Sequence, residues 1–84
     1  MTTWYVYVLY SVSSGRLYTG ISNDPGRRLE EHNAGRGAKA TRAGRPWKIV
    51  RTWTVTTKSE ALRLEARIKK LRRIEKLVLV GLAA

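Results

Sequence analysis

Two tyrosine-bearing stretches, Tyr5-Val6-Tyr7 and Tyr18-Thr19-Gly20, lie either side of a turn-like segment. Arg28 and His32 follow on a stretch that opens with helix-start residues. A phenol can hold or deprotonate a water. A guanidinium neutralises phosphoryl oxygens, and an imidazole moves protons near neutral pH. Together these groups suit chemistry on a phosphate. The stretch lacks an acid that could hold a metal ion, and the rest of the chain must supply one.

The elements needed to position these groups can be read from the chain. Residues 3–10 are almost all aromatic or β-branched and read as a strand covered on both faces. Alternation sets Tyr5, Tyr7 and Leu9 on one side and Trp4, Val6, Val8 and Tyr10 on the other. Residues 11–15 form a turn by composition, and residues 16–21 a second strand. Paired as a hairpin, the strands would set Tyr7 beside Tyr18. Ordinary sheet packing would account for the tyrosines equally well. Asp24-Pro25 is a cap followed by a proline suited to the first helical position, and Asn33 and Gly35 offer a stop. Arg28 and His32, four apart, share a face of that helix. Taken singly, Arg28 also fits a solvated arginine, and His32 a histidine favoured at a helix C-terminus.

Residues 35–48 form a basic loop holding Arg36, Lys39, Arg42, Arg45 and Lys48, with glycines between them and no acid. Such a loop beside a phosphate-handling site would grip a nucleic-acid backbone, with Thr41 donating a hydroxyl hydrogen bond. Trp47 could stack on a base or plug the core. A third strand spans residues 48–56. Thr57 and Glu60 have capping-box spacing at the head of a helix that runs to about Leu71. Ala61, Leu64, Ile68 and Leu71 form its apolar stripe. Glu65 borders that stripe, where a carboxylate is costly unless paired or metal-bound. It is the candidate for the missing acid; a salt bridge to Arg28 or Lys69 is the alternative. Residues 73–80 read as a last helix with Ile74, Leu77 and Val78 inward.

The chain has 84 residues, 43% of them apolar, enough for one domain with a thin core. Without cysteine, neither disulfides nor thiol chemistry can occur. There is no signal-peptide pattern, and the apolar tail is far short of the ~20 residues of a membrane helix. A cytoplasmic monomer is the expectation. Seventeen basic residues against six acidic give a net charge of +11, which calls for a polyanionic partner. Nucleic acid leads, and an anionic membrane surface is second.

Over residues 4–78 the pattern resembles the GIY-YIG nuclease superfamily. Tyr5-Val6-Tyr7 stands for Gly-Ile-Tyr and Tyr18-Thr19-Gly20 for Tyr-Ile-Gly. Arg28 falls at the catalytic arginine, and Ser59–Glu65 is similar to the stretch carrying the metal-binding glutamate. With Arg28-x-x-x-His32 and the loop to Trp47, the chain looks most like the small stand-alone bacterial branch, whose members are regarded as endonucleases. Tyr5 and Thr19 depart from the motif letters, and Ile21 replaces a lysine found in some repair nucleases. The resemblance implies a single GIY-YIG nuclease-like domain over residues 1–84. Its α/β (α+β) fold would be a three-stranded antiparallel sheet flanked by helices, in the order β-β-α-β-α-α.

The activity implied is metal-dependent hydrolysis of phosphodiesters in DNA rather than RNA, of a structure-selective, repair-related kind. The catalytic set would be Tyr7, Tyr18, Arg28, His32 and Glu65, with Glu65 holding one Mg²⁺ or Mn²⁺. Tyr7 would serve as the base, which calls for its pKa to fall, or would orient the water. Tyr18 would hold the water or the phosphate, and His32 would relay a proton from the Tyr7 side. Arg36, Lys39, Thr41, Arg42 and Arg45 would hold nucleic acid. The alternative is a nucleic-acid-binding module with a degenerate nuclease site. A structural RNA- or ribosome-associated protein would fit charge and size but not the joint spacing of Tyr7, Tyr18, Arg28 and Glu65.

Overall fold

The computed structural model describes residues 2–84. Strand β1 (Trp4–Ser11) lies at the centre of a three-stranded sheet, between β2 (Leu17–Ser22) and β3 (Trp47–Val55). Both pairings are antiparallel, with Tyr7 opposite Gly20 and Leu9 opposite Tyr18. A register shift between Val8 and Leu9 interrupts the β1–β3 ladder. Helix α1 (Pro25–Asn33) follows the hairpin, α2 (Lys58–Lys69) follows β3, and α3 (Arg73–Leu79) closes the chain. The architecture is α+β with the order β-β-α-β-α-α, as the sequence predicts.

The central strand is buried on both faces because its two sets of side chains enter different cores. Val6 and Val8 meet Ala61 and Ile68 of α2 and Val80 beyond α3, with Trp4, Leu17, Trp53 and Leu64 at the edges. Tyr7 and Leu9 meet Trp47 on the opposite face, with Tyr18, Leu29 and Ile49 around them. That second cluster carries the site. Its helix begins as expected: the Asp24 carboxylate accepts from the Arg27 N–H at 3.1 Å, and Pro25 takes the first turn. Such a cap contributes about 1 kcal/mol.

The structure corrects three details. The Thr57 hydroxyl accepts from the Glu60 N–H at 3.1 Å, but the Glu60 carboxylate reaches the Thr56 backbone and hydroxyl rather than closing a box on Thr57. Helix α2 stops at Lys69, two residues short of Leu71. Ile74 and Val78, expected inward, are about half exposed, while Leu79 and Val80 pack against the core. A seven-residue helix cannot set its rotation from an apolar stripe alone. Two arginines hold its ends: Arg73 donates to the Gly15 carbonyl at 2.8 Å, and Arg51 donates to that of Leu79.

Candidate active site

Tyr7 reaches the site because Gly20 lies opposite it. A Cβ on Gly20 would come within 2.6 Å of the Tyr7 hydroxyl oxygen and 3.1 Å of the Tyr18 ring. No larger residue leaves room for both phenols on one face. The two tyrosines are diagonal neighbours across the β1–β2 ladder, within reach of each other's rings. His32, fully buried, comes up from α1 between them. Its ring centroid is 6.0 Å from that of Tyr7 and 5.2 Å from that of Tyr18.

The Tyr7 hydroxyl is 2.9 Å from His32 Nε2. On the far side of the ring, His32 Nδ1 is 2.7 Å from the Thr41 hydroxyl, which in turn donates to the Ala38 carbonyl at 2.9 Å. Both imidazole nitrogens are thus engaged. Burial pushes the His32 pKa below the ordinary 6.5, and the Arg28 charge pushes the same way against Glu31. The ring is therefore neutral at pH 7. Burial also raises the Tyr7 pKa above its usual 10 and outweighs the nearby Arg28 guanidinium, which lowers it; the Tyr18 and Glu65 charges raise it further. This corrects the expectation of a depressed phenol: desolvation disfavours the phenolate more than one partly exposed cation favours it.

Arg28, one turn before His32 on the same face of α1, lies close enough to the Tyr7 hydroxyl to act on its proton. It holds Glu31 at 2.8 Å, both side chains about one third exposed. That pairing uses one nitrogen of a fork that carries five N–H donors. Glu65 sits on α2 with its side chain 18% exposed, and one carboxylate oxygen is 3.3 Å from Lys69 Nζ. Of the two alternative partners considered for it, Lys69 forms the salt bridge and Arg28 pairs with Glu31 instead. Tyr7, Tyr18, Arg28 and His32 converge, and Glu65 is near enough for its charge to act on Tyr7.

The basic loop divides. Arg36, Lys39, Arg42 and Arg45 are exposed, as a phosphate-gripping role requires. Thr41 is fully buried with its hydroxyl spent on His32 and Ala38, so it cannot reach a phosphate. A hydroxyl flanked by cations suggests a ligand contact, but the short helical turn Lys39–Thr41 points it inward. Trp47 is a core residue, 3% exposed, with its indole donating to the Thr41 carbonyl at 2.9 Å. Gly37, by composition a mere helix-breaker, has a role that the sequence does not disclose. Its Cα lies against the imidazole, and a Cβ there would collide with His32 Nδ1, Cγ and Cα. Its place five residues beyond the histidine, inside the returning loop, is the available signal.

Among the described residues no group of three or more His, Asp or Glu side chains gathers as a metal cage. His32 has no free nitrogen for a metal. Glu65 alone would offer one carboxylate, a donor set that would fit an ion keeping most of its waters, as Mg²⁺ does, and would not fit zinc.

The sheet order and the Tyr7–His32–Thr41 chain define a small α+β domain with one buried polar cluster beside its central strand. The GIY-YIG catalytic domain matches residues 3–77, and the chain belongs to that family. It is 44% identical over 78 residues to UPF0213 protein BH0048 of Halalkalibacterium halodurans, covering 93% of this chain and 82% of the relative. A UPF0213 protein of Halobacterium salinarum is 49% identical over 72 residues, covering 86% and 92%. The solution structure of BH0048 superposes with a TM-score of 0.59 at 42% identity over 95% of this chain and 84% of that one. The solution structure of EF2693 from E. faecalis gives 0.61 at 39% identity over 94% and 84%. Membership of the GIY-YIG family suggests nuclease activity. No helix among the described residues is long and apolar enough to cross a membrane.

Proposed function

We propose that the protein is a divalent-metal-dependent endonuclease that hydrolyses phosphodiester bonds in DNA. The observation that carries this reading is the Tyr7–His32 contact: a buried phenol 2.9 Å from a neutral imidazole. Tyr7 does not need to rest as a phenolate. As water attacks phosphorus, its proton passes to the Tyr7 oxygen while the Tyr7 proton passes to His32 Nε2. The P–O bond to the leaving oxygen breaks, and solvent protonates that oxygen. Such a relay avoids the cost of a buried anion in the free protein and supplies a base when it is needed. Tyr18 orients the water. The Arg28 guanidinium stabilises charge on the phosphoryl oxygens. Glu65 would hold one Mg²⁺ or Mn²⁺, which when bound supplies charge stabilisation at the phosphate and its leaving oxygen.

Arg36, Lys39, Arg42 and Arg45 grip the backbone on the approach to the site. In this reading the chain is a single nuclease domain that works as a cytoplasmic monomer, with branched or flapped repair substrates favoured. One observation favours the rival, a nucleic-acid-binding module with a degenerate site: Glu65 already pairs with Lys69. The deciding assay incubates purified protein with flapped, forked and plain duplex DNA, and with RNA, with and without Mg²⁺ or Mn²⁺. Metal-dependent cutting of DNA is expected. Binding without turnover under either metal would favour the module.

A further inference from the structure

Thr41 makes no use of its hydroxyl at the surface. It sits between Lys39 and Arg42, both exposed, yet it is fully buried and directed at the imidazole. A threonine hydroxyl has one proton and two lone pairs. The Ala38 carbonyl is an acceptor only, so its 2.9 Å contact with the Thr41 oxygen requires the Thr41 proton between them. Without that proton, two lone-pair oxygens would face each other. The same oxygen stands 2.7 Å from His32 Nδ1, and the proton in that contact must then come from the ring. A neutral imidazole with its proton on Nδ1 has its lone pair on Nε2, and Nε2 faces the Tyr7 hydroxyl.

We infer that Thr41 is a positioning residue that fixes His32 in the Nδ1–H tautomer, so that Nε2 stays free to take the proton of Tyr7. The Nε2–H form would present a donor to Tyr7 and could accept nothing from it. The ring of a free histidine side chain prefers that Nε2–H form, so the chain has to supply a partner that reverses the preference. The remainder of the loop keeps the partner in place. The Trp47 indole donates to the Thr41 carbonyl, and Asn33 at the end of α1 bonds the Trp47 backbone twice, at 2.7 and 3.0 Å. Gly37 clears the space that the ring needs. The turn that offers Lys39 and Arg42 to a phosphate backbone is therefore the turn that sets the catalytic tautomer. The groups facing His32 are Tyr7 from β1, Tyr18 from β2, Arg28 and Glu31 from its own helix, and Thr41 from the loop.

The role rests on the nuclease reading, but its first test does not need turnover. Nitrogen-15 NMR of the His32 ring in the wild-type protein at neutral pH reads the tautomer directly, and Nδ1–H is expected. An Nε2–H tautomer in the wild type overturns the inference whatever the protein does to DNA. Thr41→Val removes the hydroxyl and keeps the shape, while the Ala38 carbonyl retains the Thr41 N–H at 3.0 Å. The variant should shift His32 towards Nε2–H and lower kcat by about 10²-fold, the usual reach of a single proton-transfer group, with KM unchanged. Thr41→Ser should restore both. A Thr41→Val protein that keeps the Nδ1–H signal, or a Thr41→Ser protein that fails to regain it, contradicts the assignment. If the tautomer behaves as stated and no substrate is cut, the assignment stands and the nuclease reading fails.

Discussion

His32 carries a pH signature that stability measurements can read without any substrate. Its folded pKa lies below the unfolded 6.5, because burial and the Arg28 charge disfavour imidazolium. Below pH 6.5 the unfolded chain takes up a proton that the folded chain refuses. The contribution is therefore complete above pH 6.5 and is lost as pH falls through the depressed folded value. Chemical denaturation from pH 7.5 downward should show stability declining below 6.5, and His32→Gln should flatten that part of the curve. An unaltered slope in the variant would assign the decline to the carboxylates. Glu65 makes a second prediction at this scale. Glu65→Gln should remove metal-dependent cleavage but lower the melting temperature little, since a partly exposed i,i+4 pair with Lys69 contributes about 0.3–0.5 kcal/mol. Undiminished Mg²⁺-dependent nicking would remove Glu65 as the ligand.

At the level of elements, the site depends on two glycines that admit side chains from elsewhere. Gly20 gives the Tyr7 and Tyr18 rings their space, and Gly37 gives His32 its own. Gly37→Ala forces either the ring or the loop to move, and overpacking of this kind costs about 1–3 kcal/mol. Its melting temperature should fall, and the His32 ring resonances should change more than those of residues on the α2 face. A Gly37→Ala protein with unchanged ring signals would show that the loop yields without cost. These glycines also explain which parts of the site are legible in the sequence. Tyr7, Tyr18, Arg28 and His32 are legible because strand alternation and helical spacing put them on shared faces. Thr41 and Gly37 are not, because their roles depend on a loop folding back against α1, and no period in the chain reports that. The rotation of α3 is hidden for a related reason: Arg73 and Arg51 hold its ends through backbone carbonyls distant in sequence. The sequence points to a depressed phenol, and wrongly, because charge is visible in a sequence and burial of one hydroxyl is not.

At the scale of the whole molecule, the longest dimension is 36 Å. At 3.4 Å per base pair this spans only about ten pairs of duplex, so affinity must come from few phosphates. The four exposed cations of the loop, Arg36, Lys39, Arg42 and Arg45, are the groups expected to meet them. Replacing all four with alanine should weaken binding. The slope of log K against log salt should become shallower by ~0.9 for each phosphate of duplex DNA that the loop no longer neutralises. A variant that keeps the wild-type slope would take the loop out of the interface.

The central claim is that a neutral phenol–imidazole pair performs phosphodiester hydrolysis. Its most direct measurement is single-turnover cleavage of labelled flapped DNA with Mg²⁺ by wild-type protein and by Tyr7→Phe, with affinity measured in parallel without metal. Tyr7→Phe keeps the ring in its place over Gly20 and removes only the hydroxyl that faces His32 Nε2. The expected result is cleavage by the wild type, a loss of at least about 10²-fold in the variant and equal affinity for the two proteins. Cleavage by Tyr7→Phe at the wild-type rate would contradict the account.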